Sequence, residues 1–338
     1  MKAIVVEKPN VVRLLDLPVP EPPPGWVLVR VRAAAICMTD FEVIHGRIPS
    51  ACPLTPGHEW SGVVEGAGAP EDRRWIGRRV TGDNEITCLK CVYCRRGEWR
   101  RCPVYRQIGF EAPGAYAEYF TIPVHNLHEL PESVSFEQGA LIEPLGVGLA
   151  VAAMAGARIG TTAAVLGAGP IGLNCLVALR ASGARRILCL DLRPQRLELA
   201  RRWGAFATFT DPALLEQAAR EYHPHGTDVV VDASGSPDLL RPGIRLTRFG
   251  GTFLLAGFFG GRDAALLPDE IHERNVRLLG AGNNAGFNQA ALLAAGDGLL
   301  RTEAMITHRF RLDDFEHALS AGSVQSPDYI KGVFLPGS

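Results

Sequence analysis

The sequence has no surplus of charge of either sign. Its 338 residues carry 35 Lys and Arg against 36 Asp and Glu, a formal net charge of −1. That balance offers no basic footprint for nucleic acid or an anionic membrane surface, and points to small-molecule chemistry. There is no membrane-spanning run either. The one uncharged stretch long enough, Ile159 to Leu179, is broken by Thr161, Thr162, Gly167, Gly169, Pro170, Gly172 and Asn174. Those residues read as strand, tight turn and helix in a soluble fold. The N-terminus, MKAIVVEKPNVVRLLDLP, has no continuous apolar core of a secretion signal. It alternates apolar and polar residues and reads as two strands. A cytoplasmic, reducing setting is expected, in which the eight cysteines do not form disulfides and clustered ones hold metal or do chemistry. Repeats, low-complexity tracts and an evident linker are also missing. What remains is a length suited to two ordinary domains.

The residues present divide along the chain. Up to residue 146 the pattern is of short strands punctuated by Gly and Pro, among them WVLVRVRAAAI (26–36), SGVVEGAG (61–68) and RRVTGD (78–83). From 147 to 286 apolar strands alternate with helices: AAVL, PIGLNCLVALRASG, RILCLD, PQRLELARRWGA, DVVVDASG, GTFLLAG. Such alternation predicts βαβ units on a parallel sheet. From 287 on, two helical segments and a last strand, YIKGVFL (329–335), are expected. The predicted class is α/β.

Three stretches carry chemistry. In the first, Cys37 and His58 lie within one run, ICMTDFEVIHGRIPSACPLTPGHEWSG, whose Pro53, Pro56 and Gly57 would turn the chain back on itself. A thiolate and an imidazole suit Zn²⁺, and a catalytic zinc needs a third ligand and an open position. A buried thiol and a packed imidazole are the plain alternative. In the second, Cys88, Cys91, Cys94 and Cys102 stand in a C-x2-C-x2-C-x7-C array. Four thiolates close a tetrahedral zinc site with no free position, with an iron–sulfur cluster as the rival. In the third, Gly167, Gly169 and Gly172 form G-x-G-x-x-G after an apolar strand, with Pro170 and Ile171 opening the helix. Asp191 ends the next strand, 19 residues past Gly172. That context predicts a dinucleotide site in which the carboxylate binds the ribose 2′-hydroxyl, so NAD is favoured over NADP. Arg193 and Arg196 stand close enough to temper that preference.

Taken together, the Cys/His run, the cysteine lobe and the glycine turn, in that order, resemble the zinc-dependent medium-chain alcohol dehydrogenase family. The closest likeness is to its polyol branch, which includes sorbitol and threonine dehydrogenases. CMTD (37–40), GHEWSG (57–62), GAYAEY (114–119) and EPLGVGLA (143–150) carry the resemblance over essentially the whole chain. It implies a GroES-like catalytic domain over 1–146 with a C-terminal return over 287–338, and a Rossmann domain over 147–286. It also implies two zinc ions: a catalytic one held by Cys37, His58 and Glu143, with Glu59 as neighbour or exchangeable ligand, and a structural one on the four cysteines. An unpaired Glu143 would be costly to bury in the apolar run ALIEPLGVGLA. The implied reaction passes a hydride between a secondary alcohol (polyol, cyclitol or amino alcohol) and NAD. Thr39 would begin a proton relay, continued by Glu42 or His45, and Asp40 would be a supporting residue. A homo-oligomer, dimer or tetramer, is expected. Met38 and Glu42 depart from the family pattern, which has a small residue and a histidine there, and Asn283 and Asn284 are candidates to reach substrate. A zinc-free quinone-reductase relative or a non-catalytic binding protein are the competing expectations.

Overall fold

A computed structural model describes residues 1–282, 286–323, 326 and 328–337. The chain divides into two compact units, Met1–Glu143 with Asn288–Ser338, and Pro144–Phe287.

The first unit opens with the hairpin β1 (Lys2–Lys8) and β2 (Val11–Asp16). Strands β3 (Trp26–Ala35) and β4 (Glu59–Ala67) follow, joined through helix α1 (Met38–Ile44). Then come β5 (Arg79–Gly82), β6 (Glu85–Ile86), the one-turn α2 (Val92–Arg95), β7 (Arg106–Gln107), β8 (Tyr119–Pro123), β9 (Leu127–Glu129) and α3 (Phe136–Ala140). Helix α4 (Ile142–Met154) carries the chain into the second unit.

In the second unit, β10 (Thr162–Leu166), β11 (Arg185–Leu190), β12 (Ala207–Phe209), β13 (Thr227–Asp232), β14 (Thr247–Leu255) and β15 (Arg277–Gly280) make one parallel sheet in the order β12-β11-β10-β13-β14-β15. Helices α5 (Pro170–Ala181), α6 (Pro194–Arg202), α7 (Pro212–Tyr222), α8 (Leu240–Leu246) and α9 (Pro268–Arg274) connect them. The central strands are buried on both faces, as continuous runs such as AAVL and DVVVD require. This is the doubly wound dinucleotide-binding order, with its switch point between β10 and β13.

The chain then returns to the first unit with α10 (Asn288–Gly296), β16 (Ile306–Phe310), α11 (Phe315–Ser323) and β17 (Lys331–Phe334). Its seven-stranded sheet runs β16-β17-β3-β4-β5-β9, with β8 also paired to β3. In β3 Val27, Val29 and Val31 are fully buried, in step with the period of two that a one-sided strand needs. That alternation stops at Ala33, Ala34 and Ala35, all at 0% exposure, because the strand end is covered on both faces. The start of β4 is enclosed in the same way: Glu59, Trp60 and Ser61 are all buried. Ala35 pairs with Glu59 across the ladder. The register therefore places Cys37, just beyond β3, next to His58, just before β4.

Candidate active site

Ligand-type atoms of Cys37, His58 and Glu59 lie within 4.8 Å of one another. Cys37 is the N-cap of α1, and His58 follows Gly57, whose φ of +101° suits glycine. What fixes both is Asp40, fully buried on the first turn of α1. One carboxylate oxygen lies 3.0 Å from His58 Nδ1, and the other accepts the Cys37 backbone N–H at 3.0 Å and the Tyr116 hydroxyl at 2.5 Å. The His58 ring therefore donates from Nδ1, which leaves Nε2 for a metal. Burial alone would lower the His58 pKa, but the Asp40 carboxylate and the Cys37 thiol overcome it and raise it well above the usual value. Asp40 itself is held below the usual carboxylate range: burial works against this, and His58, Tyr116 and the Cys37 amide outweigh it.

Two further groups crowd this cluster. Lys331 Nζ, buried on β17, stands 2.5 Å from Glu59 Oε2. The contact is a buried ion pair, and Glu59 Oε1 has no hydrogen-bond donor among the described residues. Glu143, in the first turn of α4, keeps a little surface, yet burial pushes its carboxyl up to about 8. His58 and Lys331 pull it down, while Glu59 and Glu85 push it further up. Glu143 is thus within electrostatic reach of the cluster although its oxygens fall outside the tight Cys37–His58–Glu59 group.

Around α1, Thr39 Oγ1 lies 3.3 Å from Cys37 Sγ. Glu42, three residues on and so on the same helix face, is gripped by Arg47 through two contacts of 2.5 and 2.7 Å. His45 caps the helix in an exposed position, its Nδ1 2.8 Å from Asn10 Oδ1. Met38 is 56% exposed, so its bulk leaves the turn at Cys37 undisturbed. Asn283 and Asn284 lie outside the described residues.

The four lobe cysteines also gather, their sulfurs within 4.8 Å of one another. The amides of Cys91, Cys94 and Cys88 donate to Cys88, Cys91 and Cys102 sulfur at 3.3, 3.4 and 3.4 Å. The backbone N–H groups of Lys90 and Cys91 bring the Cys88 thiol down to about 6, while burial and the neighbouring thiols push Cys94 up to about 11. A cation at the centre would stabilise all four as thiolates, which is the donor set zinc takes. By contrast Cys175 and Cys189 are deeply buried core thiols, their pKa values pushed up to about 12.

At the end of β10 the three glycines do different work. Gly167 has φ +98°, and a Cβ there would meet Ser234 N at 2.8 Å. At Gly172 a Cβ would sit 1.8 Å from the Gly167 carbonyl oxygen, so helix and turn pack only around a hydrogen. Gly169, the N-cap of α5, has ordinary extended backbone, and a Cβ would meet nothing nearer than Arg196 Nη1 at 3.6 Å. The fold does not need glycine at 169. A ligand approaching the N-terminus of α5 does, and that cradle fits a pyrophosphate. Pro170 and Ile171 form the first turn of α5. Asp191 accepts from the amides of Ala168 and Arg193, both at 2.8 Å, and Arg196 Nη1 lies 3.7 Å from it.

Comparison with known proteins bears on these geometries. Residues 23–132 match the alcohol dehydrogenase GroES-like domain, and residues 170–294 match the zinc-binding dehydrogenase domain. D-xylulose reductase A of Aspergillus niger is 32% identical, with 94% of this chain and 92% of that protein covered. The chain belongs to the zinc-dependent medium-chain alcohol dehydrogenases. The sorbitol dehydrogenase of Bacillus subtilis (strain 168) is 29% identical over 99% of this chain and 97% of its own. Among solved structures, a zinc-binding dehydrogenase from Sinorhizobium meliloti 1021 bound to NADP superposes with a TM-score of 0.92 at 31% identity, covering 99% of each chain. The dehydrogenase is accordingly an oxidoreductase acting on a CH–OH donor, with the GroES-like and Rossmann-type architecture expected from its sequence. No helix among the described residues is long and apolar enough to cross a membrane.

Two members of the dehydrogenase's site are ones that sequence reasoning passed over. Tyr116 lay in plain view in GAYAEY, but only the fold shows its hydroxyl on Asp40. Lys331 had a signal, a lone lysine inside the apolar strand YIKGVFL, which predicts a buried partner.

Proposed function

We propose that the dehydrogenase transfers a hydride between a secondary alcohol of the polyol class and NAD, using a catalytic zinc on Cys37, His58 and Glu143 and a structural zinc on Cys88, Cys91, Cys94 and Cys102. The observation that carries this reading is the Asp40 brace, which holds Cys37 and His58 together beside a carboxyl driven up to about 8 by burial. Glu59 already has a cation, Lys331, at 2.5 Å. Glu143 is the carboxyl a metal would ionise. Zinc supplies Lewis acidity toward the substrate oxygen, and the nicotinamide supplies the hydride acceptor.

The remaining chemistry belongs to the chain. Thr39 can accept the alcohol proton and pass one on, since a hydroxyl does both. Glu42, three residues on along α1, is the next station, with its carboxylate held by Arg47. His45 is turned to Asn10 and is the weaker relay candidate. An ammonium-bearing substrate would compete with Arg47 for Glu42, which favours a neutral polyol over an amino alcohol. The sorbitol dehydrogenase and D-xylulose reductase relatives favour the same class. The Asp191 carboxylate favours NAD, while Arg196 at 3.7 Å softens its repulsion of a 2′-phosphate, so NADP is used with lower affinity. The setting is cytoplasmic and the assembly a dimer or tetramer, to be read by light scattering.

The test is absorbance of reduced nicotinamide across polyols, aminocyclitols and amino alcohols with NAD and NADP. Turnover of neutral polyols with NAD is expected. No turnover on any of them would refute the substrate reading, and a fully active Cys37→Ser variant would remove the catalytic zinc.

A further inference from the structure

We propose that the second unit carries a separate site for a phosphate monoester bearing a flat, aromatic group. A cavity of about 570 Å³ opens where α7 ends and β13 and β14 begin, lined by Arg220, His223, His225, Arg245, Arg248 and Arg274. Such a volume suits a small ligand and not a macromolecular surface. It is not the dinucleotide cradle. The glycine turn and Asp191 follow the C-terminal ends of β10 and β11, whereas this cavity lies at the N-terminal edge of the same parallel sheet.

Its charge is unbalanced. Glu216 faces Arg220 at 3.6 Å, Asp228 pairs with Arg248 at 2.6 Å, and Glu270 is divided between Arg241 and Arg245 at 3.0 and 2.9 Å. With Arg274, five guanidinium groups meet three carboxylates, and of these Arg241, Asp228 and Glu270 stand outside the cavity lining. Arg274 has no carboxylate partner among the described residues: its Nη2 donates to the carbonyls of Arg245 and Thr247 at 3.1 and 2.6 Å, and its buried Nε has no acceptor. His223 adds no charge, because burial lowers its pKa and its Nε2 donates to the Arg186 carbonyl at 3.1 Å. The excess is therefore arginine, the side chain whose planar fork suits phosphate.

The flat group follows from β14. Between the pairs Thr227–Thr247 and Val229–Thr252, β14 runs through three more residues than β13. That excursion displays Arg248 and Phe249 at the cavity rim, where the Phe249 ring stays 64% exposed with Arg274 5.0 Å from its centre on one face. An exposed ring next to an unbalanced guanidinium is a stacking platform beside an anion hole.

The probe is AMP, titrated by calorimetry into the zinc-loaded full-length protein already saturated with NADH, so that the dinucleotide cradle is filled. Binding is expected to persist, to weaken roughly tenfold or more in Arg274→Gln, and to weaken also in Phe249→Ala. NADH affinity should be unchanged in both. Because Arg274 also holds two carbonyls, Arg220→Gln, with a side chain 82% exposed, is the second variant and is expected to weaken AMP without altering thermal stability. Inorganic phosphate binding as tightly as AMP would remove the aromatic part of the proposal. Abolition of AMP binding by NADH, or unchanged affinity in Arg220→Gln and Arg274→Gln, would overturn the site.

Discussion

The glycine turn offers the sharpest separation of fold from ligand. Replacing Gly169 by Ala adds one methyl group whose nearest neighbour is the flexible end of Arg196, 3.6 Å away. Its backbone is extended, so no strain arises, and the loss of chain entropy in the unfolded state offsets about 0.4–1 kcal/mol of the poorer cap that alanine makes. Folding stability should therefore stay within roughly 1 kcal/mol of the parent. The same methyl would project into the space where pyrophosphate approaches backbone. An overpacked contact costs about 1–3 kcal/mol, which corresponds to roughly fivefold to 150-fold weaker dinucleotide binding. Gly172→Ala is the opposite case. Its Cβ would lie 1.8 Å from the Gly167 carbonyl oxygen, and only a backbone shift relieves that. A loss of about 3 kcal/mol or more is expected, lowering the melting temperature by roughly 6–12 °C for a unit of this size. Quenching or enhancement of NADH fluorescence gives the affinities, and calorimetry gives the melting temperatures. A Gly169→Ala protein that binds NADH like the parent, or one that melts well below it, would refute the reasoning.

Two other expectations rest on buried charge, and a third on the thin packing of the cysteine lobe. Lys331→Met leaves the Glu59 carboxyl enclosed without its cation, so it should cost about 3–5 kcal/mol by urea denaturation, and adding Glu59→Gln should restore most of that. In metal-free protein Glu143 has its pKa raised from 4.5 to about 8, and His58 is raised as well. The folded state then holds more protons than the unfolded one, so stability falls as pH rises from about 5 to 8. Glu143→Gln should flatten its share of that slope, and metal-free denaturation midpoints at several pH values check it. Chelation should expose residues 86–105 to protease, because the lobe has little apolar packing of its own; unchanged resistance after zinc removal would count against a structural ion there.

Much of the architecture was legible because burial imposes period. VLVRV and DVVVD announce a one-sided and a two-sided strand, and the spacing of Gly167, Gly169 and Gly172 announces a turn. The strand expected at 61–68 begins earlier, at Glu59, because its polar residues are enclosed too and alternation hides its start. What periodicity cannot show is which side chain meets which. Glu42 stood out as a departure, but its bond to Arg47 depends on how the helix α1 ends. Asp191 read as a carboxylate for a ribose, while only the folded chain reveals that both its oxygens also hold backbone amides. Tyr116 and Lys331 reach their partners across the sheet, from positions that sequence distance separates widely.

The Asp40 brace has one more consequence, for the order in which the protein matures. Its three donors come from the start of α1, from His58 and from Tyr116, so the segments that bear Cys37 and His58 are latched by protein–protein bonds alone. If the proposed catalytic ion is removed, that pocket should persist and reload. The cysteine lobe is held instead by amide N–H groups donating to the sulfurs themselves, so an ion bound there would carry more of the lobe's order. On the proposed two-ion reading, stripped protein should regain catalysis quickly if the lobe ion was retained, and slowly, with aggregation, if it was lost: the first centre would exchange, and the second would be set during folding.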